Sequence, residues 1–145
     1  MLFIAVKCLH IMALLVLFSS SLTKNILVLQ TPFNGQLARW ARIADRASGA
    51  AAGVAVLSGL ALVWLSSKGL DFYTSNGLFW LKMALLLLAS GLIIRTKLFF
   101  RKHAGDPPKS TTPMPRGMPT ILKFDLASLV VMACLGVVLA SGLRW

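Results

Sequence analysis

The sequence predicts an all-α integral membrane protein, a four-helix bundle that forms a single transmembrane domain over residues 1–145. The chain is 57% hydrophobic with a mean hydropathy of +0.80, so it has too little polar surface to cover a soluble core of this size. Four apolar runs are long enough to cross a bilayer, since about 20 residues span about 30 Å of hydrocarbon. The runs are continuous rather than alternating, which favours helices over barrel strands.

The four predicted spans cover about residues 2–22, 47–65, 78–100 and 121–143. The first span can extend through residues 26–29, where the apolar character resumes. A cleaved signal peptide is the alternative for this segment, because Lys7 precedes an apolar stretch and three serines at residues 19–21. No A-x-A-like cleavage site follows the apolar stretch, which favours a retained helix.

The two long connections between the spans differ in their predicted structure. Residues 34–46 are predicted to be helical, because Asn34 can cap a helix whose apolar face includes Leu37 and Trp40. This segment lies at the membrane interface or continues the second span. Residues 102–120 hold five of the six prolines of the chain, which predicts a flexible tether without helix or sheet rather than a partner-binding PxxP site.

The basic residues predict the orientation of the spans. The formal net charge is +11, and the cations flank the apolar runs, which indicates membrane topology rather than nucleic-acid binding. The cations of the first connection are Lys24, Arg39, Arg42 and Arg46, and those of the third are Lys97, Arg101, Lys102, Lys109, Arg116 and Lys123. The second connection holds only Lys68, offset by Asp71. Under the positive-inside rule, the first and third connections are cytoplasmic and both termini face the outer, periplasmic side.

This topology predicts a multi-pass protein of the bacterial inner (plasma) membrane. The expected partners are the lipid bilayer and the anionic lipid headgroups at the basic connections, and no nucleic acid. The second span carries a GxxxG at Gly49 and Gly53, and small residues also line one face of the fourth. Because helices associate in lipid through close contact at small residues, spans two and four are predicted to be central. A homo-oligomer or a partner in a membrane complex is left open.

Three ionisable residues fall in the predicted outer half of the membrane: Lys7, His10 and Lys82. His10 lies about 12 Å along the first span and Lys82 about 6 Å along the third, so their side chains are predicted to approach each other. Ionisable groups at membrane depth are costly, and each is a functional hypothesis. An imidazole there can ligate the iron of haem b, and either group can carry protons, which makes His10 and Lys82 candidate cofactor-binding residues. The alternatives are lysines that snorkel to the interface and a histidine that bonds a backbone carbonyl.

Four charged residues fall at the predicted cytoplasmic ends of the spans: Asp45, Arg46, Arg95 and Asp125. Opposite charges at similar depth are expected to pair, for example Arg95 with Asp125 or Asp45. The predicted role is a structural ion-pair layer, and a substrate or proton site is the alternative.

No catalytic motif stands out, so enzymatic activity is left open. The sequence has no Gly-rich phosphate loop, nucleophile elbow or HExxH motif. Cys8 and Cys134 form no CxxC pair and are expected to be packing residues. The methionines are scattered, and no metal site is predicted.

Four runs of sequence, one associated with each span, form a recognisable pattern. They are LHIMALL, RIADRASGAAAG, FYTSNGLFWLKMALLL and KFDLASL, of which FWLK is the most specific part. The pattern resembles a family of short bacterial membrane proteins that is known only as a domain of unknown function. The resemblance covers nearly the whole chain and implies four membrane helices.

A more distant resemblance concerns His10 in the first span and Lys82, which follows an aromatic residue early in a later span. The arrangement is similar to the HemJ-type protoporphyrinogen oxidases and to the copper-resistance protein D type. In the HemJ type such His and Lys positions are linked to haem and to activity, and the resemblance implies these roles for His10 and Lys82. The expected function is a haem-binding or redox-linked membrane protein. The alternative is a small transporter, or an accessory or assembly subunit without a catalytic site.

Overall fold

The computed structural model describes residues 1–30, 32–107, 110–111 and 113–142. The helices are α1 (Leu2–Leu29), α2 (Gly35–Leu65), α3 (Leu70–Thr74), α4 (Gly77–His103) and α5 (Met118–Ser141). Between them the described residues form no β-strand, only one isolated bridge between Asn34 and Thr111. Helices α1, α2, α4 and α5 are long and apolar enough to cross a membrane, which confirms the predicted all-α fold with four spans. The predicted end of the fourth span, Leu143, lies outside the described residues.

The four long helices run alternately up and down and form a ring in the order α1, α2, α4, α5. Helix α1 packs mainly against α2, and α4 against α5, while contacts of α1 with α5 and of α2 with α4 close the ring. We call the end that holds α3 and the start of α1 the α3 end. The opposite end, which holds the connections after α1 and after α4, is the basic end.

Spans two and four are the most buried of the four, as predicted, since α2 and α5 bury a larger share of their membrane-length windows than α1 or α4. The GxxxG motif of span two, however, does not form a helix contact among the described residues. Helices α2 and α5 lie at opposite corners of the ring, without close backbone approach in the described part of the chain. Gly49 and Gly53 are exposed, and a Cβ on either would meet nothing within 4 Å. The buried face of α2 is instead another row of small residues that also includes one aspartate; its members are Gly35, Ala38, Ala41, Ala44, Asp45, Ser48, Ala51, Ala55 and Ser58. This face combines close packing at small residues with partners for the polar side chains, which the face of Gly49 and Gly53 does not.

Helix α2 begins well before its predicted span. The side-chain oxygen of Asn34 accepts a hydrogen bond from the backbone N–H of Leu37 at 3.0 Å, as an N-cap does. Residues 34–46 are therefore helical and continuous with the span. Ala41 is buried on this segment, whereas Trp40 is 56% exposed near the basic end.

Helix α1 runs unbroken to Leu29, so Lys24 lies inside the first membrane helix. The assignment of Lys24 to the first connection is therefore wrong. A lysine is tolerated at this depth only because its ammonium group finds partners on α2.

The connection from α4 to α5 packs against the start of α2 where the structure describes it. Arg39 Nε donates to the carbonyl oxygen of Ala104 at 3.1 Å. A Cβ at Gly35 would lie 2.5 Å from the carbonyl oxygen of Asp106 and 2.6 Å from that of Pro107, so only glycine admits this approach.

The same connection is shorter than the predicted tether over residues 102–120. Helix α4 continues to His103, and α5 begins at Met118 with Pro119 in its first turn. Proline is tolerated there because the first N–H groups of a helix have no intrahelical partner.

A buried apolar cluster closes the basic end. Its members are Val28, Phe33, Ala38, Ala41, Phe100, Met118 and Leu122. Phe33 lies against Phe99 and Phe100, with ring centroids 6.3 and 6.5 Å away. Because these residues come from all four long helices and the first connection, the cluster joins the helices at this end.

Candidate functional site

A buried lysine and a buried aspartate pair between α1 and α2, above the apolar cluster of the basic end. Lys24 Nζ lies 3.4 Å from Asp45 Oδ1 and donates to Ser48 Oγ at 3.1 Å. The side chains of Lys24 and Asp45 are 0% and 4% exposed. The Ser48 hydroxyl donates in turn to the carbonyl oxygen of Asp45 at 3.0 Å. Each charge compensates the other, which neither lipid nor an apolar core could do.

Asp125 of α5 belongs to the same region and is 1% exposed. Its Oδ2 accepts a hydrogen bond from Ser21 Oγ at 2.7 Å, and the carboxyl group lies within electrostatic range of Lys24 and Asp45. Helix α1 therefore contacts both carboxyl groups, with Lys24 directed to α2 and Ser21 directed to α5. We call Ser21, Lys24, Asp45, Ser48 and Asp125 the buried charge cluster.

The structure brings together two of the four residues of the predicted ion-pair layer. Asp45 and Asp125 are both buried and belong to the buried charge cluster, whereas Arg46 and Arg95 are exposed. No salt bridge involves either arginine among the described residues. Lys24 takes the place proposed for Arg95, because the carboxyl groups face α1 and Arg95 lies on the outer face of α4.

His10 is half-buried between α1 and α2 in the half of the bundle nearer α3. Its Nδ1 lies 3.0 Å from Ser58 Oγ. The Ser58 hydroxyl lies 2.6 Å from the carbonyl oxygen of Val54, which can only accept, so the serine proton is directed there. Ser58 Oγ must then accept from Nδ1–H of the imidazole. The imidazole also makes a backbone hydrogen bond with Ala55, and a proton on Nδ1 leaves the lone pair on Nε2.

Gly59 of α2 makes room for His10, and Gly136 of α5 makes room for Lys82. The Cε1 atom of His10 lies 3.2 Å from the position of a Cβ on Gly59, and Lys82 Nζ lies 3.1 Å from that of a Cβ on Gly136. Lys82 extends from α4 and lies within electrostatic range of the imidazole, although α1 and α4 are not neighbours in the ring. Lys7, in contrast, is exposed. We call His10, Ser58 and Lys82 the imidazole site.

Apolar side chains separate the imidazole site from the buried charge cluster. His10 and Ser21 are eleven positions apart on α1, which corresponds to about 16 Å. Leu17 of α1 and Met132 of α5 are buried in the interior between them. No chain of hydrogen bonds links the two sites in the part of the molecule that the structure describes, so the two sites are structurally separate.

The bundle carries polar residues inside and apolar residues outside. Every long helix exposes large apolar side chains, for example Leu9 at 53%, Leu57 at 70%, Leu87 at 71% and Val137 at 71%. A surface of this kind suits lipid and not water.

Residues 3–144 match a family described as "Predicted membrane protein (DUF2214)". The chain belongs to this family.

No curated protein and no solved structure matches the chain. Membership of the DUF2214 family confirms the resemblance to membrane proteins of unknown function, and the four helices of membrane length show a multi-pass protein. The more distant resemblance to the HemJ type stays a prediction, as do the bacterial inner membrane and the periplasmic position of the termini.

Sequence reasoning missed Lys24 and Ser21 as members of a site, although a signal was present. Ser21, Lys24, Asn25 and Val28 follow a spacing of three and four residues, and all four are buried. A polar stripe at helical spacing inside a membrane-length helix indicates a face that is turned to the protein interior. The signal was hidden because the predicted span ended at residue 22, which placed Lys24, Asn25 and Val28 beyond it and separated them from Ser21.

Proposed function

We propose that this DUF2214 protein is a haem-binding, redox-linked membrane protein in which His10 would bind the iron of haem b. The observation that carries the proposal is the contact of His10 Nδ1 with Ser58 Oγ at 3.0 Å, which suits a ring with its proton on Nδ1 and its lone pair on Nε2. Histidines that bind metals are commonly held in this way, since a hydrogen bond at one ring nitrogen sets the tautomer and the orientation of the other.

A lone imidazole suits haem better than a bare metal ion. The described residues contain no group of three or more His, Cys, Asp or Glu side chains that could hold an ion. Haem brings the porphyrin nitrogens with it and needs only axial ligands from the protein. The buried apolar side chains of Leu17 and Met132 separate the imidazole site from the buried charge cluster, which favours a local binding role over passage of protons between the two sites.

Lys82 is the proposed partner for a haem propionate. An ammonium group in the interior of a membrane bundle calls for an anion, and no acidic side chain forms a salt bridge with Lys82 among the described residues. Haem b carries two propionates, and the position of Lys82 near His10 suits one of them. When bound, haem supplies one-electron transfer, while His10 and Lys82 hold and orient it.

The proposed location is the bacterial inner membrane, with the basic end in the cytoplasm against anionic lipid headgroups. The positive-inside rule supports this orientation. Trp64 at one end of α2 is 75% exposed, and Trp40 near its other end is 56% exposed. Both indoles are thus free to lie at the headgroup level of opposite leaflets.

The test is a haem titration of the purified protein in detergent, followed by absorption spectroscopy in the Soret region. Wild type is expected to bind haem with a spectrum typical of histidine ligation, and His10→Ala is expected to lose it. The matched control is His103→Ala, which removes the other imidazole of the chain, at the basic end where it pairs with Asp106. This control should keep the wild-type spectrum.

Two further variants separate the roles within the imidazole site. Lys82→Gln should weaken haem binding about tenfold, because it removes one charged hydrogen bond, and should leave the ligation spectrum unchanged. His10→Gly should bind haem again when free imidazole is added. A colourless wild type in the presence of haem, or a His10→Ala protein with an unchanged spectrum, contradicts the proposal. The transporter or accessory-subunit alternative would then be preferred.

A further inference from the structure

Asp125 has one carboxyl oxygen that the hydrogen-bond network does not explain. The residue is 1% exposed, and its Oδ2 accepts from Ser21 Oγ at 2.7 Å. Its Oδ1 is fully buried and has no hydrogen-bond partner among the described residues. An ionised Asp125 would therefore keep a buried, negatively charged oxygen without a donor, which is strongly destabilising.

The charges around Asp125 do not balance if both carboxyl groups of the cluster are ionised. Lys24 is the cation that faces them from α1, and its hydrogen bonds go to Asp45 and Ser48 of α2. Lys97 of α4 and Lys123 of α5 are exposed and face away, as do Arg46 and Arg95. Lys24 is therefore one cation near two carboxyl groups. If both Asp45 and Asp125 were ionised, one negative charge would remain uncompensated in a water-poor interior.

We propose that Asp125 is a proton-binding site whose acidic proton is carried on Oδ1. Protonation removes the uncompensated charge, keeps the hydrogen bond from Ser21 to Oδ2 and leaves Lys24 and Asp45 as a neutral pair. The apolar cluster of the basic end closes the site on one side, and Leu17 and Met132 close it on the other. The proton exchanges only when the bundle opens, so its release would report a conformational change of α5 against α1.

The test is infrared spectroscopy of the haem-free protein in lipid nanodiscs at neutral pH. Wild type is expected to show the carbonyl stretch of a protonated carboxylic acid, which shifts after exchange into heavy water. Asp125→Asn should lack this band. Asp71→Asn, which makes the same chemical change at an exposed aspartate, should keep it.

Ser21→Ala is a second variant that keeps the proposal testable if Asp125→Asn folds poorly. It removes the hydrogen bond to Oδ2 and should move the carbonyl band to higher frequency without abolishing it. A wild-type protein without the band, or a band that survives Asp125→Asn, overturns the proposal. His10→Ala should leave the band unchanged, so this outcome is independent of whether haem binds.

Discussion

Replacement of Lys24 by methionine tests the energetics of the buried charge cluster most directly. Methionine keeps a long, unbranched side chain and removes the ammonium group. Asp45 would remain with its side chain 4% exposed and without the cation that lies 3.4 Å away. Removing one partner of a buried ion pair costs about 3–5 kcal/mol. The folding equilibrium constant should therefore fall by about two to three and a half orders of magnitude.

The double variant Lys24→Met/Asp45→Asn separates the loss of a partner from the loss of packing. It removes both charges at similar side-chain volume, and replacing a whole buried pair is often close to neutral. We therefore expect the double variant to be more stable than Lys24→Met alone. Lys97→Met is the matched control, because Lys97 is exposed on α4, and it should change stability by no more than about 0.5 kcal/mol.

The assay is reversible unfolding in mixed micelles, with increasing dodecyl sulfate and circular dichroism as the readout. The free energy of unfolding of each variant is compared with that of wild type under the same lipid and detergent conditions. A Lys24→Met protein as stable as Lys97→Met would refute the reasoning, because Lys24 would then not compensate a buried charge. A double variant no better than the single one would show that packing, not charge, accounts for the loss.

Three further predictions address local features of the fold. Gly35→Ala should destabilise the protein by about 1–3 kcal/mol, because its Cβ would meet backbone oxygens of the α4–α5 connection at 2.5 and 2.6 Å. The control Gly53→Ala should be neutral or stabilising by up to about 1 kcal/mol. Equal effects of the two variants in thermal unfolding would contradict the packing of this connection against α2. Asn34→Ala should cost about 1 kcal/mol in the same assay through loss of the N-cap, and an unchanged melting temperature would argue against that cap. Ser21→Ala should cost about 0.6 kcal/mol in the dodecyl sulfate titration, and a loss above about 2 kcal/mol would indicate that Asp125 is ionised and depends on this donor.

Hydropathy and local sequence signals were sufficient to predict the number of membrane-length helices and where their apolar segments lie. The four apolar runs correspond to α1, α2, α4 and α5, and the cap at Asn34 was identified from residue type and position alone. These features depend on neighbours within one or two helical turns, so they can be derived from the order of residues. Depth along a helix is equally local, because 1.5 Å per residue places His10 and Lys82 in the same half of the membrane.

Contacts between helices could not be derived in the same way. The partner of Asp45 is Lys24 and not Arg95, and the exposed face of α2 carries Gly49 and Gly53. Both outcomes depend on how each helix is rotated about its axis and on which helices are adjacent. That choice is collective, because the rotation of each helix sets the partners of its polar groups and the close packing of its small residues at the same time.

The sequence by itself determined that the chain is a membrane protein, how many of its helices can cross a bilayer, and that His10 and Lys82 fall at similar depth. Only the tertiary structure decided that Lys24 pairs with Asp45, that Asp125 keeps one oxygen unpaired, and that Ser58 contacts the His10 ring. The physical reason is that insertion in lipid depends on the summed hydrophobicity of each segment. A site, in contrast, depends on a few distances between segments far apart in the chain.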